Sequence, residues 1–303
     1  MSSWSAPVPP SLQNEIALIT GAGRGIGREI ALAFAREGAH LVLVSRTETE
    51  LADTAAACAA LGVQARVVVG DVATYADIEQ AVAGALSEHR RVDIAVAAAG
   101  ALGPIGPLST ADIFEWERTI RVNLLGAFHL CRAVVPHMLR QRRGKIVLLA
   151  GGGGSTPLPQ FSAYASSKAA IVRLTETLAD EVRDAGVHVN AVAPGLVDTR
   201  LLRKVVAAGP RAGRLAERAR AALESDGLTL PGEVAALARF LVSSDSRGLT
   251  GKLVSAPHDR WQEWGERAEE LNASPLYTLR RLDPFTLDSL SRGSPEATPP
   301  AHA

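Results

Sequence analysis

The sequence predicts an α/β fold, a doubly wound seven-stranded parallel sheet followed by a C-terminal extension. Three observations carry this. Short apolar runs alternate with helix-length stretches from residue 15 to residue 255, the order that lays helices on both faces of a parallel sheet. The runs lack polar alternation, as strands buried on both faces do. No linker-like stretch splits the series, so the 303-residue chain reads as one large domain, 15–255, with flanking segments.

Taken in order, residues 16–19 (Ile-Ala-Leu-Ile) form the first strand, and glycines end it. A helix follows over 25–37, with Ile26, Ile30, Leu32 and Phe34 on its apolar side. Residues 41–44 are the second strand. Residues 48–61 are an Ala-rich helix, stopped by Gly62, the residue that best tolerates a left-handed cap. Strands at 66–69 and 94–98 flank a helix at 76–89. One long helix is expected over 111–142, bent or reset at Pro136, because proline removes an amide from the helix ladder. A strand at 146–150, a helix at 162–185 and a strand at 187–192 come next. A helix at 231–242 and a short strand at 252–254 complete the series.

Thr20-Gly21-Ala22-Gly23-Arg24-Gly25-Ile26-Gly27 joins the first strand to the first helix. Glycine there permits a tight turn and close approach of backbone to a pyrophosphate, while the helix N-terminus offers amide donors and a positive dipole end. A glycine-rich turn alone is a weak signal; after a first strand and opening a helix it is a strong one. At the end of the second strand a carboxylate would bind a ribose 2′-hydroxyl and repel a 2′-phosphate. This chain has Ser45-Arg46 there, with Arg24 in the glycine loop. Two guanidiniums and a missing acid favour NADP(H). NAD(H) stays open, since either arginine could be a solvated surface residue and Glu48 or Glu50 could reach the ribose.

Several spaced motifs together resemble the short-chain dehydrogenase/reductase family, a single-domain Rossmann-fold branch, from Glu15 to about Val254. Thr20-Gly21-x-x-x-Gly25-x-Gly27 is similar to its coenzyme motif, and Asp71-Val72 to the pair that contacts adenine. Ala97-Ala98-Ala99-Gly100 stands where the family has Asn-Asn-Ala-Gly, so the hydrogen bonds of those asparagines must be replaced. The run from Asn190 to Thr199, with Pro194, Gly195 and Val197, resembles the segment whose backbone and threonine hold the nicotinamide carboxamide.

Tyr164 and Lys168 form the family's Tyr-x-x-x-Lys motif. An i, i+4 pair shares one helix face, so the ammonium sits beside the phenol. A free phenol titrates near pH ~10 and is a poor acid or base at neutrality; a neighbouring positive charge stabilises its phenolate. The resemblance gives Lys168 the ribose hydroxyls as well, and gives Asn123 a water that relays protons from Lys168 to solvent. The family's third member, a serine thirteen positions before the tyrosine, is absent: position 151 is glycine, in the run Gly151-Gly152-Gly153-Gly154-Ser155. Ser155 or Ser162 could substitute, backbone amides of Gly151 and Gly152 onward could supply the donors, or the site could be impaired or changed to non-redox chemistry. The glycines could also do no more than make room.

The formal net charge is +0, which draws the chain toward neither nucleic acid nor an anionic membrane. No apolar run is expected to span a bilayer. Cys58 and Cys131 lie far apart in helical patterns and read as two buried thiols in a reducing, cytoplasmic setting, with no metal site. Residues 1–14 read as a flexible arm and 289–303, rich in Ser, Pro and Ala, as disordered. Residues 201–228 take the place of the family's substrate lid, with apolar residues among Arg200, Arg203, Arg211 and Arg214. Residues 256–288 form an added, helical extension whose Trp261, Trp264, Tyr277 and Phe285 suggest packing on the body or a second subunit. The expected partners are a small-molecule substrate and further copies of the chain, as a homodimer or homotetramer through the helices at 111–142 and 162–185. The leading function is an NAD(P)(H)-dependent carbonyl reductase or alcohol dehydrogenase. An epimerase or dehydratase that uses the dinucleotide without net redox, and a non-catalytic dinucleotide sensor, are the alternatives.

Overall fold

The computed structural model describes residues 11–225 and 227–281. Most of the expected N-terminal arm, the end of the extension with Phe285, and the tail at 289–303 lie outside the described residues. Seven strands, β1 (Ile16–Thr20), β2 (His40–Ser45), β3 (Ala65–Val69), β4 (Ile94–Ala97), β5 (Gly144–Leu149), β6 (Val187–Ala193) and β7 (Leu253–Ser255), form one parallel sheet. Their order, β3-β2-β1-β4-β5-β6-β7, reverses between β1 and β4, and crevices for ligands open at such a switch point. Thr20 pairs in register with Val44 on one side and Ala97 on the other, so three strand ends arrive level at the crevice.

The helices are α1 (Gly25–Arg36), α2 (Glu48–Ala59), α3 (Tyr75–His89), α4 (Ile113–Ile120), α5 (Gly126–Gln141), α6 (Ser162–Val182), α7 (Arg200–Ala208), α8 (Arg214–Glu224), α9 (Pro231–Val242) and α10 (Ala268–Ala273). α1 and α9 cover one sheet face through Ile30, Phe34, Leu237 and Leu241. α3, α5 and α6 cover the other through Ile78, Leu130, Val134 and Ile171. A third, smaller cluster joins α7 and α8 to Phe161, Leu158, Leu102 and Ile105.

The single helix expected over 111–142 is two, α4 and α5, separated by a π-turn at Arg121–Leu125. The Gly126 amide donates to the Arg121 carbonyl, five residues back. Pro136, where the bend is expected, lies inside α5 without ending it. The register shifts at Asn123 instead, a buried amide that claims partners outside its own helix. By length and composition alone, Ile113–Gln141 could cross a membrane, which corrects the expectation that no run reaches that length; half of its most apolar stretch is buried in the fold. Ile113, Phe114 and Phe128 on this segment stand exposed.

The extension after β7 is mostly turns rather than helix: a 3₁₀ turn at Trp261–Glu263 and the short α10. Trp261 and Trp264 enter the α1/α9 core, with the Trp261 ring 5.5 Å from Phe240. The chain then returns along the sheet edge, where the Leu253 amide donates to the Tyr277 carbonyl. The buried Glu176 of α6 accepts from the Leu279 amide at 2.6 Å and from Arg280 at 3.0 Å. The strap thus runs from one sheet face, past the β7 edge, to the other. Turns suit that path better than a straight helix would.

Candidate active site

A cleft of ≈ 440 Å³ opens over the carboxyl ends of β1, β2 and β4, within the range usual for cofactor sites. Its floor is shaped by glycine. Gly21 has φ +69°, and a Cβ there would fall 2.6 Å from the Ala99 amide nitrogen; at Gly27 a Cβ would fall 2.3 Å from the Gly21 carbonyl oxygen. These are backbone atoms that cannot step aside. The first turn of α1 opens on the cleft and holds no acidic residue, so its positive end is free to meet a phosphate. The residues present therefore fit a dinucleotide.

Most of the residues predicted to bind it line the cleft: Gly21, Gly23, Arg24, Gly25, Ile26 and Gly27 on one wall, Ser45, Arg46, Asp71 and Val72 on another. Ala98, Gly100, Pro194 and Thr199 face them, and Tyr164 and Lys168 close one end. Thr20, Gly195 and Val197 act from behind instead. Thr20 is buried, its hydroxyl donating to the Val96 carbonyl. Val197 belongs to the core, and Gly195 turns against Thr229 and Pro257. The asparagines missing from the β4 end leave no orphan: the Ala98 amide donates to Thr20 O, and among the described residues no buried side-chain N or O lacks a partner.

The adenosine corner holds more charge than the strand end announced. Arg24 donates to both oxygens of Glu50, at 3.0 and 3.1 Å, and Arg200 approaches the same carboxylate at 2.9 Å. Arg46 lies 3.9 Å from Asp71. Arg200, Leu201 and Arg203 line the cleft although they belong to the lid segment. Only their position directly after Thr199, at the start of α7, signals this in the sequence. Arg203 is held by Asp198, and Arg211 and Arg214 point to solvent.

At the reaction end, Lys168 is buried, with its Nζ 2.6 Å from the Leu149 carbonyl and 5.6 Å from the Tyr164 ring centre. Burial pushes the Tyr164 phenol up to about 12 and the Lys168 ammonium down to about 8. Without a bound cation, then, Tyr164 is a firm holder of its proton. Asn123 is fully engaged: Oδ1 accepts from the Ala101 amide at 2.7 Å, and Nδ2 donates to Ala101 O and Ser167 Oγ, each at 2.9 Å. Ser167 in turn donates to the Tyr164 carbonyl. The π-turn thereby clamps the loop after β4 to the first turns of α6, so the Asn123 side chain positions the helix that carries Tyr164.

Gly151 has φ +154°, and a Cβ on it would fall 2.6 Å from the Tyr164 hydroxyl. The phenol occupies the room that a side chain at 151 would take. Ser155 is exposed and does not line the cleft, nor do Gly151 and Gly152. Ser162 accepts from the Trp116 indole N–H at 3.1 Å. Among the described residues no acceptor meets the amides of Gly152 and Gly153.

The match extends to known proteins. A family model described as short chain dehydrogenase covers residues 15–209. The chain belongs to that family. A short-chain reductase protein, NovJ of Streptomyces niveus, is 36% identical over 244 residues, covering 80% of this chain and 92% of its own. The (2S)-[(R)-hydroxy(phenyl)methyl]succinyl-CoA dehydrogenase subunit BbsD of Thauera aromatica is 35% identical over 257 residues, with 80% and 95% covered. Among solved structures, an NAD⁺-bound xylitol dehydrogenase superposes with a TM-score of 0.75 at 28% identity, covering 80% of this chain and 98% of that one. A levodione reductase gives the same score at 29% identity, with 80% and 96% covered. This short chain dehydrogenase is an oxidoreductase that uses a nicotinamide dinucleotide.

Proposed function

We propose that the chain is an NADP(H)-dependent carbonyl reductase or alcohol dehydrogenase for substrates with an apolar body. The observation that carries this reading is the convergence of the glycine loop, Thr199, Tyr164 and Lys168 on one cleft. The bound nicotinamide supplies hydride exchange with a substrate carbon. Tyr164 supplies or takes the proton at the substrate oxygen; burial raises its phenol, so a positive charge beside it is needed to bring it into working range. Lys168 sets a positive charge near that phenol and holds ribose hydroxyls, while Asn123 fixes the helix that carries both. The partly buried Leu102, Ile105, Leu158 and Leu196, in the same apolar cluster as Tyr164, support an apolar substrate. Preference for NADP(H) is supported by two guanidiniums, Arg24 and Arg200, on the single carboxylate of Glu50, by Arg46 at the end of β2, and by a serine where an acid would repel the 2′-phosphate.

Two titrations and one assay test it. NADPH should quench tryptophan fluorescence at lower concentration than NADH, and Arg46→Asp should narrow that difference. With a panel of apolar ketones, Tyr164→Phe should lower turnover by about 10²- to 10⁴-fold while leaving dinucleotide affinity unchanged. Equal affinity for the two coenzymes would remove the NADP(H) assignment. Turnover that survives Tyr164→Phe would remove the acid–base assignment. The glycine at 151 favours one rival, a non-redox isomerisation; an isomeric product formed with no net change in reduced nicotinamide would establish it.

A further inference from the structure

We propose that Glu50 is a built-in occupant of the 2′-phosphate site and that Arg200, from the lid helix α7, is a further ligand of that phosphate. The proposal rests on the NADP(H) reading and goes beyond it, because it assigns specificity to two residues outside the glycine loop and the β2 end.

The geometry is that of an anion site already filled. Glu50 Oε1 sits between two guanidiniums, 3.0 Å from Arg24 and 2.9 Å from Arg200, and its carboxylate is one-fifth exposed. The two arginines come from opposite sides of the cleft: Arg24 from the glycine loop, Arg200 from the first residue of α7. The loop and the lid meet closely there, since a Cβ on Gly25 would lie 3.6 Å from the Thr199 methyl. Glu50 itself is held on a fixed platform. The buried Thr54 hydroxyl donates to Glu50 O at 3.0 Å and reaches Gly23 O at 3.3 Å, tying α2 beneath the glycine loop.

One carboxylate carries a single negative charge for two guanidiniums. A phosphate monoester carries nearly two and offers three acceptor oxygens, so it satisfies both arginines better. A free ribose 2′-hydroxyl has no charge with which to compete. The phosphorylated coenzyme therefore displaces Glu50 and takes over Arg24 and Arg200, drawing α7 against the bound nucleotide. The unphosphorylated one leaves the bridge closed.

The test uses the full chain and two fragments, adenosine 2′,5′-bisphosphate and 5′-AMP, titrated calorimetrically into wild type, Arg200→Gln and Glu50→Gln. We expect wild type to prefer the bisphosphate. Arg200→Gln should cut that preference by about ten-fold with 5′-AMP binding unchanged, and Glu50→Gln should raise it by about three- to ten-fold. Hydrogen exchange in residues 200–208 should slow with the bisphosphate and not with 5′-AMP. A bisphosphate preference that Arg200→Gln leaves intact overturns this proposal alone. Weaker 5′-AMP binding in Glu50→Gln also overturns it, because the carboxylate would then be a ribose acceptor. No bisphosphate preference in wild type overturns the NADP(H) reading, and this proposal with it.

Discussion

At the coenzyme end of the cleft the backbone does the shaping; at the reaction end side chains do. Gly21 and Gly27 matter for what they lack, since any Cβ there would strike main-chain atoms at 2.6 and 2.3 Å. Tyr164, Lys168 and Asn123 matter for what they carry, and Lys168 and Asn123 are held by bonds to other elements. Gly151 belongs to the second region yet resembles the first: its missing Cβ gives space to a phenol rather than to a main chain. A requirement enforced by backbone sterics is strict. One enforced by a side chain that can turn leaves room for substitution, as the missing serine at position 151 illustrates.

The sharpest break of that contrast is Gly27→Val. Its Cβ meets a carbonyl oxygen that the β1–α1 turn cannot move, so we expect about 100-fold or greater loss of NADPH affinity, the binding equivalent of a severe overpacking. Fluorescence titration measures it, with circular dichroism to verify that the sheet persists. An affinity within about three-fold of wild type would show that the loop adapts and that the coenzyme end is no stricter than the other.

Gly151→Ala probes the other region with a smaller group, a single methyl. The nearest atom is now the Tyr164 hydroxyl at 2.6 Å, the far end of a side chain that can swing. The expected outcome is about a ten-fold fall in turnover with NADPH affinity retained, because a displaced acid loses alignment rather than its binding site. Equal losses in affinity and turnover would mean that the two ends are not separable.

Legibility followed the same divide. The glycine loop can be read directly because its demand is local: a strand, a turn and a helix N-terminus within a few residues. Tyr164 and Lys168 can be read because a helix brings i and i+4 together. The π-turn at Asn123 could not be read, since the cause lies in Ala101 and Ser167, which the fold brings near; Pro136 gave the stronger local signal in the wrong place. The Arg24–Glu50–Arg200 bridge joins three segments far apart in sequence that only the fold brings together. The extension's aromatic spacing indicated that Trp261 and Trp264 would pack, but the route around β7 depends on an edge that exists only once the sheet has formed.

The smallest effect concerns the charge at the reaction end. Burial holds Lys168 near pH 8 in the folded protein, whereas an exposed lysine keeps its proton to about pH 10.4. Between those values the unfolded chain binds the proton and the folded chain does not, so stability rises as pH rises, and below both it is flat. From about pH 7.5 to 9 Lys168 should contribute about 1 kcal/mol of added stability. Lys145 and Lys252, also lowered to about 8 by burial, add increments of the same sign. Urea unfolding of wild type and Lys168→Met at the two pH values isolates the share of Lys168: the variant should gain less by that amount. An identical gain would mean that Lys168 keeps its charge throughout, with the Leu149 carbonyl compensating for its burial. The positive charge beside Tyr164 would then be as fixed a feature of the reaction end as the missing Cβ atoms are of the coenzyme end.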